Sequence, residues 1–600
     1  KVINNKTFYY GTKYNNVLDI ESYNNSTLLI LQASALTVWN IVTNKEVVLD
    51  LSPLHIYPKE IWVIDDFCFV SDYIGTVFTF KLSKSEKETQ LNYKGKFSGH
   101  DGLISSIDIN LKRNLIVTGS DDATLKFWSL DSLKELGALI PVSRKDFILL
   151  SPTGEYQITK NAFTKFGFSS GYNFIYPDQF DLQYNQPHVV ARSIGIGTKE
   201  SNDVLEKVYY KRLKRMGFEN KSFKEQTTLP EIQLVDFKKI PNGKVALQLS
   251  ASDSQFNLDR INVYINDVPI FGSNGYTLAQ LHTKNWSETL TVDLLYGKNK
   301  IEISVLNANG VESIRQSLNI VEDEKQSQDL YLITLGASKY EDKRFNLTYP
   351  NKDAENIAEL FSKKANGNFQ NVFTLTLTNE ELNNDALEEC RAFLSKVKAN
   401  DVTILFYAGH GVLDKDYNYY LASYDIDFLE PQNKGIAYED LESLLDGIPS
   451  LRKVLFIDAC HSGEVDKDEV EQLANFTESN GDIVFRNSGA GVQEKKVGLK
   501  SMNELMAEMY TDLRKGTGAS VISSSGGYEF SMESEQWKNG LFTYCLLHGL
   551  KDMDADLNKD GSIMLSELQK YLYVEVSKLS NNAQRPTSRI ENKSIDFRIW

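Results

Sequence analysis

Two short stretches hold the residues best suited to chemistry. In "ILFYAGHGV", Ile404 to Val412, an apolar run ends on a histidine between two glycines, and in "VLFIDACHSG", Val454 to Gly463, a second apolar run ends on Asp-Ala-Cys-His-Ser-Gly. A thiol is a good nucleophile only as thiolate, and an imidazole within hydrogen-bond reach can serve as its base or hold the ion pair. His410 and Cys460 would form such a dyad if the two run ends meet. A lone cysteine at the end of an apolar strand is more often inert core. Here the small residues Gly409, Gly411, Ala459 and Gly463 clear space around both polar side chains, which an inert pair would not require.

The elements around them can bring the ends together. From 329 onward the strands "LYLITLGAS", "VFTLTLT", "DVTILFYAGH", "KVLFIDAC" and "ASVISSSG" alternate with helical segments such as "NKDAENIAELFSKK" and "ALEECRAFLSKVK". Near-continuous apolar strands with helical crossovers predict an α/β, mostly parallel sheet with helices on both faces. Open sheets of this kind place their chemistry beyond the carboxyl ends of the strands, where both His410 and Cys460 fall.

"YAGHG" and "DACHSG", 50 positions apart, resemble the His and Cys motifs of the caspase and metacaspase clan of cysteine peptidases, over about residues 329–600. The resemblance implies that Cys460 attacks the scissile carbonyl and that His410 protonates the leaving amine. It also implies that the backbone N–H groups of Gly411 and Cys460 form the oxyanion hole. Where animal caspases, which prefer aspartate at P1, have Gln two before the nucleophile and Arg one after it, this chain has Asp458 and His461. A carboxylate in the S1 pocket would repel a P1 aspartate and attract Arg or Lys. Asp353, in "LTYPNKDAENI", is similar to an acid that lines S1 in metacaspases, and a helix N-cap is its equal alternative. Glu533 falls in a stretch resembling the substrate-binding loop, where animal caspases use Arg. Ala408 departs from the pattern, since many metacaspases have Ser there.

Two further features bear on regulation. The polar segment Glu464–Lys500 carries Arg486, Lys495, Lys496 and Lys500, all cleavable by an enzyme of that specificity; self-cleavage and an unprocessed covering loop are both open. Near the end, "DLNKDGSIMLSE" has the EF-hand order, with Asp556, Asn558, Asp560, Ser562 (by its carbonyl) and Glu567 at the ligand positions and Gly561 at the turn. The motif predicts a calcium loop; its alternative is a helix-connecting turn that only keeps the look, and Met564 at position 9 cannot hold a bridging water. The chemistry itself is expected to need no cofactor.

The N-terminal part is of another kind. Residues 1–185 read as short strands, with Trp39, Phe80 and Trp128 spaced by 41 and 48 positions, near the ~40–45 residue period of WD40 blades. "SGHDGLISSIDI" before "GSDDATLKFW" resembles a WD40 repeat, which implies that His100, Asp122 and Trp128 form a structural hydrogen-bond network. A degenerate fourth blade is expected at "DFILLSPTGEYQITKNAFTKFGF", and the small number of blades predicts an incomplete propeller or a missing piece. Residues 186–225 read as a partly helical connector, 226–322 as an Ig-like β-sandwich, and 323–600 as the peptidase-like domain. Blades and sandwich before the peptidase look like bacterial WD40-caspase proteins, with the N-terminal modules expected to serve target recognition, regulation or assembly.

A formal net charge of −16 disfavours wholesale nucleic-acid binding, and no apolar run approaches the ~18 residues that span a bilayer. The expected partner is a protein substrate with basic P1, with a protein partner or missing blades at the WD40-like region. Cys68, Cys390, Cys460 and Cys545 give neither a disulfide framework nor a zinc signature; a soluble, cytoplasmic rather than secreted chain is expected. "KVINNKTFYYG" has neither an initiator Met nor a signal-peptide apolar region, so the true start is expected to lie upstream. A caspase fold that has lost activity and acts as a signalling scaffold is the rival reading, and a peptidase with acidic P1 preference is the second.

Overall fold

Period-two alternation organises the first part of the chain. The structure is a computed structural model, and it describes all residues except 1, 4–5, 8–15, 85–88, 160–161, 171–172, 220, 227, 365–368, 384, 415–417, 460–482, 486–515, 526–530 and 591–595. Two compact units emerge, residues 1–177 with 183–206, and residues 178–182 with 207–600.

In the first unit, two four-stranded antiparallel sheets, at 17–50 and 58–98, precede a six-stranded one at 104–158. Along the strand Phe67–Asp72, Cys68 and Val70 join Leu29, Leu31 and Val38 of the sheet before, while Phe69 joins Ile104, Ile116 and Trp128 of the sheet after. Successive side chains point to opposite faces, so one strand supplies both inter-sheet cores. Trp39, Phe80 and Trp128 each lie on the third strand of their sheet, which is the structural meaning of their spacing. The stretch expected to make a fourth blade behaves differently. Phe147–Leu150 and Tyr156–Ile158 extend the third sheet as its fifth and sixth strands. The helix Pro187–Ile194 lays Val190 and Ile194 against Leu139 and Leu149 of that sheet.

The expected network is present and closes through a residue not foreseen. Trp128 Nε1–H donates to Thr118 Oγ1 at 2.8 Å, His100 Nε2 lies 2.8 Å from the same hydroxyl, and His100 Nδ1 lies 2.8 Å from Asp122. A neutral imidazole satisfies the whole chain of donors: Thr118 gives its proton to Nε2, and Nδ1–H goes to the carboxylate. Partial burial works against ionised Asp122, but hydrogen bonds from Thr124, His100 and the Asp101 backbone outweigh it and hold the carboxyl at about 2, below its ordinary 3.8.

The second unit opens with a β-sandwich. A sheet of Glu231–Ile240, Lys244–Ser252 and Asn285–Asp293 shares one core with an antiparallel sheet built on Leu258–Ile265 and Gly297–Asn307. Leu451, from the following α/β domain, is buried in that core. Asp446 of the α/β domain accepts from the Ser273 hydroxyl at 2.6 Å and from its N–H at 2.9 Å.

The α/β domain is a six-stranded sheet in the order Val372–Thr378, Leu330–Gly336, Val402–Ala408, Arg452–Asp458, Ser520–Ser523, Thr587–Ile590. The first five are parallel, as the sequence predicts, and the last is antiparallel. Ile404 and Phe406 face Pro350–Lys364, Leu541–Lys551 and Leu565–Leu579, while Leu405 and Tyr407 face Ala386–Leu394 and Tyr438–Ser443. Both faces are therefore covered, which is why these strands are apolar at every position.

Because the Asp122 carboxyl titrates lower in the folded state, its stabilisation is full above about pH 4 and is lost as pH falls through about 2. Asp122→Asn should be less stable than the parent at pH 7, and the two should converge as pH drops through that window. Urea midpoints read from near-ultraviolet circular dichroism check this; a gap independent of pH would contradict it.

Candidate active site

Strands Val402–Ala408 and Arg452–Asp458 are neighbours in register, with Ala408 opposite Asp458. Gly409 N–H adds one more contact, to the Asp458 carbonyl at 3.3 Å. The chain therefore leaves both strands at the same level of the same sheet edge. His410 stands two residues beyond one strand, and position 460 two residues beyond the other. Cys460 itself, with His461 and Gly463, lies outside the described residues. Ala459 before it is fully buried, and its carbonyl is 3.4 Å from the Ser524 hydroxyl.

His410 is buried and held from several directions. Its Nε2 is 2.8 Å from the Phe345 carbonyl. A carbonyl only accepts, so Nε2 carries the proton and Nδ1 is the basic nitrogen. The His410 N–H donates to the Tyr340 hydroxyl at 3.3 Å, and its own carbonyl accepts from Tyr407 Oη at 2.9 Å and from Ala422 N–H at 3.0 Å. A Cβ at Gly409 would stand 2.5 Å from Tyr407 Oη and 3.2 Å from Tyr340 Oη. Glycine is needed there to admit the two hydroxyls that hold the histidine backbone. Gly411 begins the short strand Gly411–Leu413 and is paired with Leu421.

The three acids expected at S1 are all buried and gather on one stretch, Asn539–Thr543. Asp353 accepts from Asn539 Nδ2 at 2.7 Å and from Gly540 N–H at 3.2 Å. Asp458 accepts from the Thr543 hydroxyl at 2.7 Å and its N–H at 3.3 Å. Glu533 lies on Met532–Ser534, directly opposite Gly540, and accepts from Thr348 N–H at 2.8 Å. Asp353 thus bonds to the start of another helix, Leu541–Lys551, rather than capping its own. The first N–H groups of a helix have no partner within it, and here those of Gly540 and Thr543 donate to Asp353 and Asp458. Ala408 packs fully buried in the core on that side of the sheet.

Sequence reasoning missed Phe345, Tyr340, Tyr407 and Phe428. A backbone carbonyl leaves no trace in residue type. Tyr407 did leave one, since a tyrosine in a fully buried strand needs a hydrogen-bond partner. Arg486, Lys495, Lys496 and Lys500 lie outside the described residues, but Ile483–Phe485 just before them forms an unforeseen strand, antiparallel to Met532–Ser534.

The loop at 556–567 lies between Leu541–Lys551 and Leu565–Leu579, as an EF-hand requires. Asp556 accepts from Gly561 N–H at 2.9 Å, Asn558 from Asp560 N–H at 2.8 Å, Asp560 from Ser562 N–H at 2.9 Å, and Glu567 from Asn558 N–H at 3.1 Å. Gly561 turns at φ +83° with nothing near its Cβ position. The donors have the type and order a calcium ion takes. Among the described residues, however, no three His, Cys, Asp or Glu side chains converge on one point to hold a metal.

Residues 331–594 match the family Peptidase_C14, the caspase domain. No curated protein matches the chain. Among solved structures it is similar to protein GSU0716 from Geobacter sulfurreducens, at 18% identity and TM-score 0.29, covering 43% of this chain and 92% of that one. It is also similar to the C-terminal WD40 domain of Sif2, at 18% identity and TM-score 0.17, covering 24% of this chain and 42% of that one. The β-propeller domain of Cps50 (Swd1) from Myceliophteria thermophila is similar at 11% identity and TM-score 0.19, covering 24% of this chain and 53% of that one. The chain thus spans about half, or less, of the length of those two WD40 structures. Among the described residues no helix is long and apolar enough to cross a membrane. The match over residues 331–594 supports a caspase- and metacaspase-like cysteine peptidase family for that part of the chain.

Proposed function

We propose that the protein is a cysteine endopeptidase that cleaves proteins after Arg or Lys, with Cys460 as nucleophile and His410 as its acid and base. The observation that carries this reading is the register of the two central strands, Ala408 opposite Asp458, together with the 2.8 Å bond that leaves Nδ1 of His410 as the basic nitrogen. The Cys460 thiolate bonds to the scissile carbonyl carbon, and the negative charge moves to the carbonyl oxygen. The N–H groups of Gly411 and Cys460 receive that oxyanion, where one good donor contributes about 3 kcal/mol. Collapse breaks the C–N bond as Nδ1 of His410 gives the leaving amine the proton it took from the Cys460 thiol, while Nε2–H stays on the Phe345 carbonyl. Water then attacks the thioester, its proton passing to His410, and the thiolate leaves.

Asp353, Asp458 and Glu533 supply the negative charge for a basic P1 side chain. Support comes from their gathering on one five-residue stretch, since a cationic side chain lowers the cost of burying carboxylates together. Self-cleavage after Arg486 fits the same specificity, because the strand ending at Phe485 is laid beside the one that carries Glu533. Calcium, where bound, would be held by Asp556, Asn558, Asp560, the Ser562 carbonyl and Glu567, and would tie together the two helices that flank the loop. The WD40-like sheets and the Ig-like sandwich serve target recognition or regulation.

Fluorogenic peptides ending in Arg, Lys or Asp test the central claim. Turnover should follow Arg and Lys, vanish in Cys460→Ala, and fall by about 10³-fold or more in His410→Ala. Silence of the wild type and Cys460→Ala alike would make the chain a scaffold, and turnover after Asp alone would overturn the basic S1 pocket. Asp458→Asn keeps an oxygen for Thr543 yet should lower kcat/KM for Arg substrates by about 10- to 100-fold, the equivalent of roughly 1.5–3 kcal/mol of charge-assisted bonding; an unchanged value would remove Asp458 from S1. In calorimetric titration with calcium chloride, Glu567→Gln should weaken binding at least about tenfold by removing the bidentate ligand, and the absence of heat in the parent would end the calcium assignment.

A further inference from the structure

The proton on His410 Nε2 is held by a carbonyl that belongs to a surface turn. Phe345 closes the short 3₁₀ turn Lys343–Phe345, whose Arg344 side chain is 81% exposed. The ends of that loop are tied down, Leu347 N–H to the Ser338 carbonyl at 2.8 Å and Tyr340 N–H to Asn346 Oδ1 at 3.0 Å. Those bonds fix where the loop begins and ends, while the peptide that offers the Phe345 carbonyl is held within the turn only by a long bond, Asn346 N–H to the Lys343 carbonyl at 3.3 Å.

The Arg344 guanidinium lies 5.7 Å from the Phe345 ring centroid, and among the described residues a stacked ring is a closer anchor. Phe428, from the loop 422–435, stacks on it with centroids 3.9 Å apart and planes 21° apart. The same ring meets His410 at 5.6 Å and 87°, and Tyr340 at 5.3 Å and 78°. Phe428 is only 4% exposed. One side chain from a segment outside both catalytic strands therefore touches the histidine, the residue that accepts its Nε2 proton, and the tyrosine that accepts its backbone N–H.

We propose that Phe428 is a positioning residue for His410. By stacking on Phe345 it holds the direction of the accepting carbonyl, and by standing edge-on to the imidazole it blocks the ring rotation that would carry Nε2 away from that carbonyl. Its catalytic consequence rests on the proposed peptidase reading. Its effect on the imidazole does not.

The test uses the full chain with histidine labelled by ¹⁵N, in the Cys460→Ala background so that self-cleavage cannot intervene; His410→Ala identifies the signal among the seven histidines. The parent should show the Nε2–H tautomer at position 410. Phe428→Leu, which keeps an apolar side chain there, should show a mixture of tautomers or averaged shifts while the urea midpoint stays near that of the parent. With Cys460 present, Phe428→Leu should lower kcat by about ten- to a hundredfold, the scale of a misplaced catalytic group, with KM little changed, and Phe428→Tyr should restore it. A pure Nε2–H tautomer in Phe428→Leu with kcat within about twofold of the parent would overturn the proposal. Should Phe428→Leu not fold, Phe428→Met takes its place with the same two outcomes. A parent with the expected tautomer but no turnover would count against the peptidase reading and not against the positioning role.

Discussion

Everything at the candidate site depends on the parallel pairing of Val402–Ala408 with Arg452–Asp458. Register in a parallel ladder is set by backbone hydrogen bonds and by which residues each face must bury. In these two strands Phe406 and Phe456 face one helical layer, and Leu405 and Leu455 the other. A slip by one residue would turn each set to the wrong layer, and would also separate the level of His410 from that of position 460. The shared level of these two strand ends is in this sense a by-product of close packing on both faces of a sheet.

Several buried polar groups hold this sheet to its surroundings. Lys453, next to the start of its strand, is 1% exposed and donates to the carbonyls of Leu445 and Thr517 at 2.8 and 2.9 Å. Arg589, on the antiparallel edge strand, is paired with Glu442 in the interior. Groups like these add little net stability over apolar residues of the same size, yet removing one partner strands a charge, at a cost of about 3–5 kcal/mol. They define which loop meets which strand. Lys453 does so for the segment that leads into Ser520–Ser523, and Asp446 does so for the sandwich.

The N-terminal sheets show the same logic with different chemistry. Trp128, Thr118, His100 and Asp122 form a chain of donors in which each member satisfies the next. Such a chain is legible from residue types at a repeating spacing because it lies within one sheet, between neighbouring strands. The Phe147–Ile158 stretch was not legible in the same way. Its turn signals predict strands, and strands form, but whether they begin a new sheet or extend the old one depends on what offers a free edge, and Glu135–Pro141 offered one.

Residue types and spacing by themselves determined the five parallel strands with both faces covered, the helices between them, the two residues that leave adjacent strand ends, and the acidic character of the residues around them. Those are local properties, set by side-chain periodicity and by what small residues leave open. Tertiary structure alone decided which nitrogen of His410 carries the proton, since the acceptor is a backbone carbonyl 65 positions away in the chain. It alone turned Asp353 from its own helix to the start of another, 186 positions on. It also brought Phe428 onto Phe345, and Ile483–Phe485 beside Glu533. Backbone groups are alike at every residue, so contacts made by them, and by rings that meet across loops, exist only once the sheet has set the distances.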